Sequence, residues 1–161
     1  MIKLHFYEVD DKYVNYLLKF DKRIMYTNEE ERKFKRKYIG ILFQIEDTYY
    51  IAPFSSYKPL KHDQMKDGID FIKIGNLAII NLNNMFPVTL DVIHKVDIEK
   101  IEDVPYKELL RDEYKLCVPK FNKILTNSYI LYKQVTVHSM PIKARCCNFK
   151  LLEQKCKEYK V

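Results

Sequence analysis

The sequence predicts an α+β fold: a single domain spanning residues 1–161, with an antiparallel sheet of about six short strands and helices packed around part of it. Three observations predict it. Short strand-like segments, mostly consecutive, recur through roughly the first hundred residues. Helical periodicity takes up most of what remains. A chain of 161 residues is also about the size of one domain, burying about two thirds of its unfolded surface around a common core.

Lys3 to Val9 alternates, with Leu4 and Phe6 on one face, and reads as a first strand. Asp10-Asp11 offers an N-cap and a negative first turn to a helix reaching about Phe20. Within that helix Tyr13, Tyr16, Leu17 and Phe20 recur at three and four residues, so spacing alone makes Tyr13 a core residue of an apolar stripe. Glu29-Glu30-Glu31 then precede Arg32-Lys33-Phe34-Lys35-Arg36-Lys37. Such a charge run is either a solvated loop or frayed helix, or a phosphate-binding patch with Phe34 available to stack a base.

Ile39 to Ile45 and Tyr49 to Phe54, separated by Glu46-Asp47-Thr48, predict a hairpin. Pro53 cannot donate to a ladder, which suits an edge, a bulge or a strand end. Residues 57–70 read as a long, polar, mostly basic loop, and loops of that length are more often functional than decorative. Phe71–Ile74, the turn Gly75-Asn76 and Leu77–Leu82 form a second hairpin; Met85–Val88 reads as a short turn and Leu90–Val96 as another strand. Asp103 and Pro105 begin some thirty residues of helical spacing that Pro119 must kink or divide. After a linker at 139–147, Asn148 can cap a last helix with Leu151, Leu152, Cys156 and Tyr159 inward.

The net charge of +6 points to an anionic partner, and thirteen tyrosines supply rings suited to a protein interior or to stacking bases. Composition does not separate nucleic acid from an acidic protein or a membrane surface. The four cysteines show no CxxC spacing and two are adjacent, which is neither a disulfide framework nor a zinc site. The N-terminus lacks the layout of a signal peptide, and no apolar run approaches the ~20 residues of a membrane span. A reduced, cytoplasmic protein is expected.

The chemically richest stretch is Phe54-Ser55-Ser56-Tyr57-Lys58, where two hydroxyls, a phenol and an ammonium leave a strand end together. A strand end is a firm mounting for a site, although adjacent serines also serve ordinary strand ends by bonding local backbone. The four histidines are scattered, against a two-histidine mechanism. His62, four residues after Lys58, is either a solvated loop residue or an assistant to catalysis. Asp63 and Asp67 show no metal-ligand pattern, so neither metal nor other cofactor is expected. Two other readings stand beside a catalytic site that acts on an anionic substrate. One is a non-catalytic RNA-binding or DNA-binding domain. The other is a Ser-Lys hydrolase, which would need an oxyanion element that no glycine supplies near Ser55 or Ser56.

Taken in order, the basic-aromatic segment ending in Tyr38-Ile39-Gly40-Ile41, the run Ala52-Pro53-Phe54-Ser55-Ser56-Tyr57-Lys58, the strand Ile79-Ile80-Asn81-Leu82-Asn83 with Met85-Phe86-Pro87, and the terminal Cys147-Asn148-Phe149-Lys150-Leu151-Leu152-Glu153 resemble the ToxN/AbiQ family, endoribonuclease toxins of type III toxin-antitoxin systems whose antitoxin is an RNA. The resemblance covers nearly the whole chain; each motif is short, and their order and spacing make the match specific. It implies a fold similar to the Kid/MazF-like toxins, a strongly curved antiparallel sheet ringed by helices. It implies Ser55, Ser56, Lys58 and the helix residue Tyr13 as catalytic, with Arg36 as a further cation. Tyr57 departs from the proline that relatives often carry there. RNA-binding residues are expected at Arg32, Lys33, Phe34, Lys35, Arg36, Tyr57, Lys61, His62, Lys66, Lys143 and Arg145. The implied reaction is metal-independent attack of a 2′-hydroxyl on single-stranded RNA. The implied partner is a repeat-derived RNA antitoxin that bridges protein copies in a closed assembly, and the implied role is phage abortive infection or plasmid maintenance.

Overall fold

The computed structural model describes residues 4–24 and 38–161. The basic run from Arg32 through Lys33, Phe34, Lys35 and Arg36 lies outside the described residues.

The predicted first strand, β1 (Phe6–Val9), lies between β2 (Tyr38–Ile45) and β7 (Ile93–Lys95). β2 returns to β3 (Thr48–Ser56) through Glu46-Asp47, with Glu46 at φ 54 in the left-handed region that tight hairpin turns use. The second predicted hairpin is β4 (Phe71–Ile74) and β5 (Ala78–Asn81), and β5 pairs with the end of β3. The sheet runs β4-β5-β3-β2-β1-β7, with β6 (Phe86–Val88) also on β3. Every described pairing is antiparallel.

β3 is the pivot of this sheet. One side meets β2 from Thr48 to Pro53; the other meets β6 from Tyr49 to Ile51 and then β5 from Phe54 to Ser56. Pro53 falls in the gap between those two partners. Its carbonyl faces Asn81 Nδ2 at 3.5 Å, so its missing N–H faces the same gap and no ladder bond is lost. The proline marks a change of partner within a central strand. Opposite it stands Gly40, where a Cβ would lie 2.4 Å from the Ala52 carbonyl oxygen. Only glycine permits so close an approach.

Three expectations need correction. Met85–Val88 is not a turn but leads into β6, whose residues are all buried: backbone pairing to β3 overrides the local signal of Pro87. The strand expected over Leu90–Val96 is shorter, because a 3-10 turn occupies Leu90–Val92 before β7 begins. The loop expected at 57–70 contains a single helical turn, α2 (Pro59–His62).

α1 (Asp11–Leu18) buries Tyr13, Val14 and Leu17. Asp10 stands at its N-cap, but its carboxylate meets His94 Nε2 at 2.8 Å instead of capping. α3 (Val104–Cys117) starts where Asp103 accepts the Tyr106 N–H at 3.0 Å. Pro119 divides the long helical run as predicted, into α3, a 3-10 turn and α4 (Phe121–Thr136). Asn148 caps α5 (Phe149–Glu158) through the Leu151 N–H at 3.2 Å. The Glu153 carboxylate of α5 accepts the phenols of Tyr50 at 2.6 Å and Tyr132 at 2.7 Å, tying α5 to β3 and α4. Strands and helices share one apolar core, and all four cysteines are buried thiols. Burial pushes Cys117 and Cys146 up to about 12, so they remain protonated. Among the described residues no helix is long and apolar enough to cross a membrane.

Candidate active site

β3 ends with Ser55 half-buried and Ser56 exposed. Asn81, the last residue of β5, donates from Nδ2 to Ser55 Oγ at 2.9 Å. That bond uses a lone pair and leaves the hydroxyl hydrogen free to be given to an incoming oxygen. The two serines alternate across the strand, so they present hydroxyls to two sides of one strand end.

Pro59 then opens α2, its fixed φ suited to a first helical position. Lys58 is the N-cap of that turn. Its carbonyl accepts the His62 N–H at 2.7 Å and the Lys61 N–H at 3.0 Å, while its own N–H donates to His62 Nδ1 at 2.8 Å. The Lys58 side chain is left exposed. Tyr57 donates its phenol to Asp63 Oδ1 at 2.5 Å, and its ring lies 5.4 Å from that of His62. The bond to Asp63 raises the Tyr57 pKa, so the phenol stays protonated.

His62 corrects an expectation: it is no solvated loop residue but is buried beneath the turn. Burial, then the ammonium groups of Lys61, Lys58 and Lys73, hold its pKa below the ordinary histidine range. Asp67 anchors the far side of the segment, accepting the Lys73 N–H and the Lys123 ammonium, each at 2.9 Å. Burial alone would raise its pKa, but these donors outweigh burial and lower it. A shallow cavity of about 580 Å³ opens here between Lys66, Asp67, Lys73 and Lys120. Among the described residues no three His, Cys, Asp or Glu side chains gather as a metal site.

The structure brings Ser55, Ser56, Tyr57, Lys58, Lys61 and His62 onto one strand end and its adjoining turn. Tyr13 is not part of that group. Its hydroxyl donates to the Pro87 carbonyl at 2.6 Å, and Pro87 pairs with Tyr50, five positions before Ser55 and thus about 16 Å back along β3 at ~3.3 Å per residue. Burial raises its pKa far above the usual phenol range. The resemblance implied catalysis for Tyr13; its surroundings make it a tie between α1 and β6.

Lys143 and Arg145 sit on the 3-10 turn before α5. Arg145 pairs with the buried Asp70 at 3.2 Å. Lys143 borders a cavity of about 560 Å³ together with Arg23, Asn148 and Lys150. The Asn83 carbonyl accepts the Cys147 N–H at 2.9 Å, which joins this region to the end of β5 two residues past Asn81.

Asn81 itself was missed as a site residue. Its signal was there: a single amide closing the apolar run Ala78-Ile79-Ile80, on the strand that pairs with Ser55.

A family model described as toxin ToxN, type III toxin-antitoxin system, matches residues 5–157. The chain is 26% identical over 163 residues to endoribonuclease ToxN of Pectobacterium atrosepticum, covering 97% of this chain and 94% of that protein. It is 27% identical over 168 residues to endoribonuclease AbiQ of Lactococcus lactis subsp. lactis, covering 97% and 89%. Among solved structures, one from work on selective toxin inhibition by a non-coding RNA pseudoknot in bacterial type III systems superposes with a TM-score of 0.82, at 25% identity and 98% coverage of each chain.

Proposed function

The chain belongs to the ToxN family of type III toxin-antitoxin toxins, and from that premise we propose that it is an endoribonuclease toxin that cleaves single-stranded RNA without a metal and is inhibited by an RNA antitoxin. The observation that carries the reading is the strand-end group itself: Ser55 with its hydrogen left free by Asn81, Ser56 beside it, and Lys58 clamped at the head of α2.

In such a reaction the 2′-oxygen attacks the adjacent phosphorus in line with the 5′-oxygen. The O2′–P bond forms, the P–O5′ bond breaks, a proton leaves the 2′-hydroxyl and one arrives on the departing oxygen. The products are a 2′,3′-cyclic phosphate and a 5′-hydroxyl. The protein must hold the phosphate in line and stabilise the charge that builds on its non-bridging oxygens. Ser55 donates a hydrogen bond to one of those oxygens, Ser56 on the other side of the strand end is left to orient the 2′-hydroxyl, and Lys58 supplies a cation. Arg36 adds a second cation on the strength of the family pattern. Tyr57 and Lys61 flank the strand end and take the neighbouring base and phosphate. Among the described residues no carboxylate pairs with the Lys58 ammonium, which leaves it available to an anion.

The partner in this reading is a repeat-derived RNA that occupies the same surface and bridges copies of the protein. The test is cleavage of a defined single-stranded RNA in EDTA, with the product ends analysed. Undiminished cleavage and cyclic-phosphate ends are expected. Activity lost on chelation and restored by magnesium would replace this mechanism with a metal-dependent one; binding without any cleavage would leave an RNA-binding domain.

A further inference from the structure

We propose that His62 is the positioning residue for Lys58, holding its backbone from both sides so that the ammonium leaves the chain at a fixed point. This rests on reading Lys58 as the cation that meets the scissile phosphate.

Lys58 stands between the end of β3 and a four-residue helix with no side-chain cap at its start. A helical turn that short does not hold itself. His62 closes it: its N–H donates to the Lys58 carbonyl at 2.7 Å, and its Nδ1 accepts the Lys58 N–H at 2.8 Å. Both backbone polar groups of Lys58 therefore end on one residue, four positions on. His62 is itself fixed. Its side is covered by the Tyr57 ring, its carbonyl accepts from Lys73 Nζ of β4 at 3.2 Å, and the residue is 7% exposed.

An acceptor at Nδ1 requires the tautomer with its proton on Nε2, hence a neutral ring. The charged groups facing that ring are Lys58 and Lys61 on its own turn and Lys73 from β4, with Asp63 the opposing carboxylate. Three cations against one anion, with burial, keep the ring neutral. Nδ1 is occupied by backbone, so that nitrogen cannot serve as a general base; His62 acts through Lys58. The position of Cα sets where the lysine stem starts and how much reorientation the ammonium needs to meet the phosphate, and misplacement by about 1 Å can cost ~10²-fold.

The test measures kcat and KM for cleavage of a short RNA by His62→Phe and His62→Asn, each alone and combined with Lys58→Ala, from about pH 5 to about pH 8, the range in which histidine titrates. His62→Phe keeps a ring but no acceptor, and kcat should fall about 10²-fold with little change in KM. In the Lys58→Ala background the same change should do nothing more, because the two residues act as a unit. His62→Asn offers an uncharged oxygen near the Nδ1 position; it should retain most activity and lose the decline on the acid side of the wild-type profile. Equal losses from His62→Phe in both backgrounds would overturn the proposal, as would an acid limb that persists in His62→Asn. The asparagine profile stands even if the phenylalanine variant does not fold. A Lys58→Ala protein that cleaves at the wild-type rate would overturn the reading of Lys58, and this proposal with it, before His62 is touched.

Discussion

Ser55 owes its usefulness to the bond it already makes. Because Asn81 donates to its oxygen, the hydroxyl hydrogen is not used in that bond, and under the proposed function Ser55→Ala should lower cleavage about 10²-fold, as should Lys58→Ala, since each would remove a contact to charge that develops in the transition state. The measurement is single-turnover cleavage at saturating protein, with circular dichroism confirming the fold. Tyr13→Phe should behave otherwise. It deletes the bond to the Pro87 carbonyl, costing about 1 kcal/mol of stability, while cleavage by the folded protein stays near wild type; a large loss of rate with unchanged melting would restore a catalytic role. His62 carries a pH signature in stability as well. Its pKa is lowered on folding, so between the folded value and the ordinary value of 6.5 the unfolded chain binds more protons and stability rises with pH. The contribution is complete above the unfolded pKa and is lost as pH falls through the folded one. Urea midpoints taken on either side of that window should differ in wild type, and by less in His62→Asn. At this scale the sequence displayed the residue types but not their engagements. Serine, lysine and tyrosine at a strand end are visible in one dimension; that Asn81 aims at Ser55, that His62 folds back under Lys58, and that the Tyr13 phenol is occupied depend on pairings between distant segments.

At the scale of elements, β3 decides the arrangement. It changes partner at Pro53, from β6 to β5, and the change carries Ser55 and Ser56 onto the same sheet end as Asn81. Gly40 makes this possible by letting β2 run close to Ala52 and Pro53, so Gly40→Ala, whose Cβ would meet backbone at 2.4 Å, should destabilise by about 3 kcal/mol, the upper end for overpacking. A melting temperature within a degree or so of wild type would mean that β2 and β3 can part without cost. The hairpins, the caps at Asp103 and Asn148, and the break at Pro119 were legible because each is written in a few adjacent residues. β6 was not, because Phe86-Pro87-Val88 has no strand signal of its own and becomes a strand only through β3. α2 escaped for the same reason: four residues are below any helical period, and its closure comes from one histidine. The role of Pro53 was half legible, since its missing donor forbids an interior ladder position but does not say that the ladder changes partner there.

Across the whole molecule, the 28 basic against 22 acidic residues exceed what one scissile phosphate needs. Several of the cations are spent on structure: Arg145 on Asp70, Lys123 and Lys120 on Asp67, Lys133 on Glu46. Lys58, Lys61, Lys66 and Lys143 are exposed, and under the proposed function these, together with the basic run Arg32–Lys37 of the sequence, are the cations expected to meet an RNA backbone. An RNA held along these positions blocks the strand end by occupying it, so inhibition by the antitoxin should be competitive with substrate. Single-stranded RNA contributes a salt slope of about 0.7 per phosphate neutralised, so antitoxin affinity should fall steeply between low and physiological salt, while a short substrate touching only the strand end should respond weakly. Replacing Lys33, Lys35 and Lys143 together by Gln should weaken neutralisation by the RNA more than cleavage of that short substrate, and should lower the salt slope by about 2, one phosphate for each cation removed at ~0.7 apiece. Equal losses in both assays, or an affinity that barely moves with salt, would mean that the antitoxin is gripped at the strand end alone and that the remaining charge has no part in holding it.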